Sequence, residues 1–136
     1  MKNKFRLALL SAVAFLALTG CQQSEDLATS VNKRWAAIIE DDFDTAYAYF
    51  SPGYQETESI EAFKLRILTA KINLRWTQAA FIGSECADEN VCEVKVKIDY
   101  SYNFTQRSLG GMEVQTEVLE NWIKQDDGWR FVPKSQ

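Results

Sequence analysis

The sequence predicts an α+β fold in which N-terminal helices pack on a curved antiparallel sheet. Three observations carry this. Apolar residues recur at helical spacing early in the chain, as at Leu27, Val31, Trp35, Ile38 and Ile39. From Val94 to Phe104, apolar and polar residues alternate strictly, the period of a half-buried strand. Turn-forming stretches, Gly110-Gly111 and Gln125-Asp126-Asp127-Gly128, then divide the C-terminal part at hairpin spacing. With 136 residues, of which 46% are hydrophobic, the chain has material for one core and one compact domain.

The first element is not part of that core. Lys2, Lys4 and Arg6 precede a mostly apolar run from Leu7 to Leu18, too short to span a bilayer and with the charge order of a secretory signal. The run ends in Leu18-Thr19-Gly20-Cys21, which resembles the lipobox of bacterial lipoproteins. That resemblance implies cleavage before Cys21, acylation of its thiol and amine, and attachment to the cell envelope. Gln22 in place of Asp implies the outer membrane, facing the periplasm. The expected division is a signal peptide over 1–20, an acylated tether over 21–26 and a folded domain over 27–136. Three of the 15 Lys and Arg leave with the signal while all 19 Asp and Glu remain, so the net charge falls from −4 to −7. Such acidity disfavours nucleic acid and anionic head groups as partners. The membrane is met through Cys21.

The domain opens with a helix expected over about Ser24 to Glu40. Asp42 or Asp44 can cap a second, running through Phe50 to the break at Ser51-Pro52-Gly53. Ser59 can cap a third, with Ile60, Phe63, Ile67 and Leu68 on its apolar side. Strands follow over about Ile72 to Cys86, Val91 to Phe104, Met112 to Lys124 and Trp129 to Val132, joined as antiparallel hairpins.

Cys86 and Cys92 are an even pair in an exported domain, and a bridge closing so short a loop stabilises by about 2.4 kcal/mol on the chain-entropy model. If Cys86 faces Cys92, uninterrupted pairing sets Ile82 against Val96, Ala80 against Ile98, Trp76 against Tyr102 and Leu74 against Phe104. All fall on the apolar parity, so pattern and disulfide agree.

The stretches "IIEDDFDTAYAYFSPGYQETESIEAF" and "ENWIKQDDGWRFVP", in this order around the strands, resemble the NTF2-like or SnoaL-like superfamily over about Leu27 to Pro133. Small NTF2-like lipoproteins are the nearest likeness. The resemblance implies a cone-shaped domain whose sheet and helices enclose a pocket, used by some members for isomerisation or dehydration and by many for binding alone.

The absence of histidine excludes Ser-His-Asp and Cys-His nucleophile systems and the usual zinc sets. Asp41, Asp42 and Asp44 lack EF-hand spacing and serve better as caps, and Gly110-Gly111 lacks the Lys-Ser/Thr of a phosphate loop. Neither cofactor nor metal is expected. Glu120 shares the parity of Val114, Thr116, Val118 and Trp122, which makes it a candidate pocket base; a paired or solvated glutamate at the sheet end is the competing role. Gln78, Tyr100, Tyr102, Thr116 and Trp122 complete the candidate pocket. On the opposite parity, Ala79, Phe81, Leu119 and Ile123 form a candidate interface for a second copy of the chain. The function expected is non-enzymatic binding or assembly, for a small ligand or an envelope protein. The alternative is a small isomerase or dehydratase using Glu120 with tyrosine donors.

Overall fold

The computed structural model describes residues 24–134; the expected export signal, Cys21 and the two residues after it lie outside them. Each helix begins where a short polar side chain takes up a free backbone N–H. Asp26 Oδ1 accepts from Thr29 N at 2.8 Å and opens α1 (Leu27–Ile39). Asp42, rather than Asp44, accepts from Thr45 N at 3.2 Å and opens α2 (Phe43–Ala48). The Ser-Pro-Gly break also starts a helix. Ser51 caps the short α3 (Pro52–Gln55), with Pro52 in the first turn, where its missing N–H leaves nothing unpaired. Ser59 caps α4 (Ile60–Ala70), accepting from Ala62 N at 3.2 Å. Glu25 and Asp26, assigned to the tether on sequence, are held by the domain. Asp26 is the cap, and Glu25 bonds Lys33 and the Tyr49 hydroxyl.

Strands β1 (Leu74–Cys86), β2 (Val91–Asn103), β3 (Gly111–Gln125) and β4 (Gly128–Val132) form one antiparallel sheet in chain order. A short 3₁₀ turn at Arg107–Leu109 lies between β2 and β3. The β3–β4 turn closes on Gly128 at φ 123°, a conformation other residues resist.

A disulfide joins Cys86 to Cys92, which face each other across the first hairpin. Beyond it the expected register fails. Two irregularities, around Ile82 and Thr77, each insert one residue into β1. Phe81 therefore faces Val96, Ala79 faces Ile98, Trp76 faces Tyr100 and Leu74 faces Tyr102. One inserted residue inverts side-chain parity and a second restores it, so only the segment between the bulges is turned over. Ala79 and Phe81, expected outside, pack against the core, while Gln78 lies exposed opposite Asp99.

The helices cover one part of the sheet. One core cluster, around Val31, Val94, Val96, Ile98, Trp122 and Trp129, lies between α1 and the strands. A second, around Ala37, Ile38, Ala46, Phe50, Phe63 and Ile67, lies among the helices. Trp35, Trp76 and Phe131 pack against both. The expected extension of α2 through Phe50 does not form. Instead Tyr49 to Ser51 run beside β4 in a parallel bridge, in which Phe131 N donates to Tyr49 O at 2.7 Å and Ser51 N donates to Phe131 O at 3.0 Å.

Candidate functional site

At the seam of the two clusters, α1 meets β3 through an ion pair. Arg34 lies three residues after Val31 and four before Ile38, on the apolar stripe of α1, and so points at the sheet. Glu120 and Trp122, two apart on β3, share a sheet face. The consequence is a salt bridge between Arg34 Nη1 and Glu120 Oε1 at 3.1 Å, with the two side chains each only 6% exposed.

Indole donors complete the surroundings of the carboxylate. Trp35 Nε1 donates to Oε1 at 3.0 Å, and Trp122 Nε1 donates to Oε2 at 2.9 Å. Glu120 thus has three donors for about four acceptor positions. An acid on its own inside a core would be costly, but a counter-charge and two N–H groups offset that cost. The guanidinium lies 3.8 Å from the Phe131 ring centroid, with Phe50 at 5.4 Å and Trp35 at 5.7 Å. Burial pulls the Arg34 pKa down, and the Glu120 carboxylate works against that pull. Arg34 Nε is buried without a hydrogen-bond partner.

Above this pair opens a cleft of about 990 Å³, at the upper end of the size of small-molecule sites. Its walls are Trp35, Phe50, Tyr54, Phe63, Trp76 and Phe131, from the helices, β1 and β4; Arg34 and Glu120 contribute to its lining. At its rim Arg66 grips Glu58 with two parallel bonds, Nε to Oε1 and Nη2 to Oε2, both 2.9 Å. That fork holds the Glu58 carboxyl below its usual range and raises Arg66. Tyr54 is raised, first by burial and then by its neighbour Glu58.

Of the six pocket residues expected from sequence, Glu120 alone lines this cleft. Trp122 is fully buried and serves as a donor to Glu120. Gln78 is on the exposed side because the bulge at Thr77 turns it over. Tyr100, Tyr102 and Thr116 are half-buried farther along the sheet, away from the helices that wall the cleft. The expected interface is also divided. Phe81 is half-buried and packs against the core, whereas Leu119 is 47% exposed and Ile123 half-buried.

Arg34, Tyr54, Glu58, Arg66 and Phe131 were not singled out on sequence. A signal for the first existed: one cation on the apolar stripe of a helix and one anion on the apolar parity of a strand call for each other.

A scan against protein-family models finds no match, nor does a search of curated proteins. Among solved structures, the chain is similar to the solution structure of a SEC-C motif containing protein from Rhodopseudomonas palustris. The TM-score is 0.59 at 13% identity, over 76% of this chain and 73% of that one. At this identity the likeness is one of fold, helices followed by an antiparallel sheet.

Proposed function

We propose that the protein is a lipoprotein of the bacterial cell envelope, anchored through acylated Cys21 in the outer membrane and facing the periplasm. Its NTF2-like domain binds a small ligand with an apolar body in the aromatic cleft, without transforming it. The observation that carries the binding reading is the cleft itself, with six aromatic residues and several charged ones in its lining. The state of Glu120 favours binding over catalysis. A general base must be reached by a substrate proton, and this carboxylate is 6% exposed with three of its about four acceptor positions taken by a guanidinium and two indoles. The signal-like N-terminus and Cys21 support the location.

Titration of the soluble Cys21→Ser protein with N-phenyl-1-naphthylamine, a neutral dye that fluoresces in apolar surroundings, tests the cleft. One saturable site is expected. Ala70→Trp, which places an indole in the cleft lining, should abolish it without opening a core void. Binding that survives Ala70→Trp unchanged rejects the cleft as the site. In cells, the parent should fractionate with membranes and Cys21→Ser should not; retention of Cys21→Ser in acylated form rejects the anchor.

The second reading, an isomerase or dehydratase using Glu120, has one observation in its favour: Tyr54 lines the same cleft. It requires that Glu120→Gln abolish turnover of a bound ligand while leaving its affinity intact.

A further inference from the structure

The lining of the cleft holds a buried donor without a partner. On the acceptor side are two carboxylates, Glu58 and Glu120. Both oxygens of Glu58 are held by Arg66, and Glu120 accepts from three donors. On the donor side, Arg34 is 5% exposed and its Nε has no partner. Arg66 spends Nε and Nη2 on Glu58, which leaves Nη1 outside the fork. Lys134 adds an ammonium to the same lining, 3.5 Å from Glu93. Arg34 and Arg66 thus line one cleft, each already paired with one carboxylate and each with a donor outside that pair.

We propose that the ligand of this cleft is an amphipathic anion, whose oxyanion head docks between Arg34 and Arg66 and whose apolar body lies on the aromatic walls. This rests on the cleft being the binding site. An oxyanion brings acceptors only, which suits the unpartnered Arg34 Nε and the Arg66 Nη1 left outside the fork. A cationic ligand would meet two guanidiniums and an ammonium, with both carboxylates already engaged. A neutral apolar ligand would leave the buried Arg34 Nε as it is.

The probes are 1-anilinonaphthalene-8-sulfonate, an aromatic sulfonate, and N-phenyl-1-naphthylamine, its counterpart without the sulfonate, titrated against the Cys21→Ser protein at low salt. The anionic dye should bind about tenfold more tightly, the scale of one charge-assisted hydrogen bond. Arg66 is half-exposed at the rim, so Arg66→Ala should fold, weaken the anionic dye about tenfold and change the neutral dye less than twofold. Glu58→Gln should act in the opposite direction, because it releases the Arg66 fork for the ligand. Laurate and dodecyl phosphate should displace the anionic dye, the stronger of the two identifying the oxyanion, and dodecanol should be at least tenfold weaker. Equal affinity for both dyes, with Arg66→Ala affecting them alike, overturns the anionic head and leaves the cleft as a site for neutral ligands. Neutral-dye binding that is indifferent to Ala70→Trp overturns the cleft itself.

Discussion

The ion pair between Arg34 and Glu120 should show as a large thermodynamic coupling, measured with Arg34→Met, Glu120→Gln and the double variant. Arg34→Met leaves a carboxylate that is 6% exposed with two indole donors and no counter-charge. Glu120→Gln leaves a guanidinium among Phe131, Phe50 and Trp35 with no anion. Breaking a buried pair from one side costs about 3–5 kcal/mol, and the indole bonds place each single variant near the lower figure. The double variant keeps an amide oxygen for an indole, removes both charges and also removes the unpartnered Nε, so its loss should be about 1–2 kcal/mol. The coupling is then about 4 kcal/mol, well above the scatter of non-interacting sites. Urea unfolding of the Cys21→Ser protein, followed by tryptophan fluorescence, is the assay. With an m-value of about 1.5 kcal/mol/M, each single variant should lower the midpoint by about 2 M and the double by about 1 M. A double-variant loss equal to the sum of the singles, within about 0.5 kcal/mol, would refute the reasoning.

Two further outcomes follow from the register and the rim. Phe81→Glu should lose about 3 kcal/mol or more in the same urea assay because it puts a charge into the core, whereas Leu119→Glu on the outer face should stay within about 0.5 kcal/mol; similar losses would reject the bulge at Ile82. Glu58 has a folded pKa below its ordinary value of 4.5, so its contribution is fully present above that pH and is lost as pH falls through the folded value. Stability measured from pH 6 down to 3 should therefore fall less steeply in Glu58→Gln than in the parent, and an unchanged acid limb would reject the fork as a stabilising contact.

Local chemistry made much of this fold readable. Asp42 and Ser59 cap helices because short polar side chains reach the backbone two or three residues on, an interaction complete within one turn. The disulfide and the hairpin it closes are readable for the same reason. The bulges are not. Thr77 and Ile82 are both good strand residues, and the Asn32 side chain of α1 that bonds Phe81 N beside the second irregularity comes from a distant part of the chain. Gly83, beside the second irregularity, was the one local hint. Hydrophobic parity found Glu120 but placed the pocket towards Tyr100 and Tyr102. Parity tells which face a residue takes and says nothing of which end of that face the helices cover. The docking of Tyr49 to Ser51 on β4 holds Phe50 and Tyr54 beside Phe131, in the lining of the cleft that Glu120 shares.

The same docking affects how the domain behaves among its neighbours. Held by a lipid as proposed, the domain would diffuse in two dimensions at high local density, where an open sheet border invites pairing with the next molecule and the start of a fibril. The border at β4 is occupied by Tyr49 to Ser51, which take up both backbone groups of Phe131. At the other border, β1 is broken by two irregularities, and the Phe81 N–H is taken by the Asn32 side chain at 2.8 Å. Neither margin offers a regular ladder to a passing strand. The segment that sets the cleft in place thereby also helps to keep crowded copies apart.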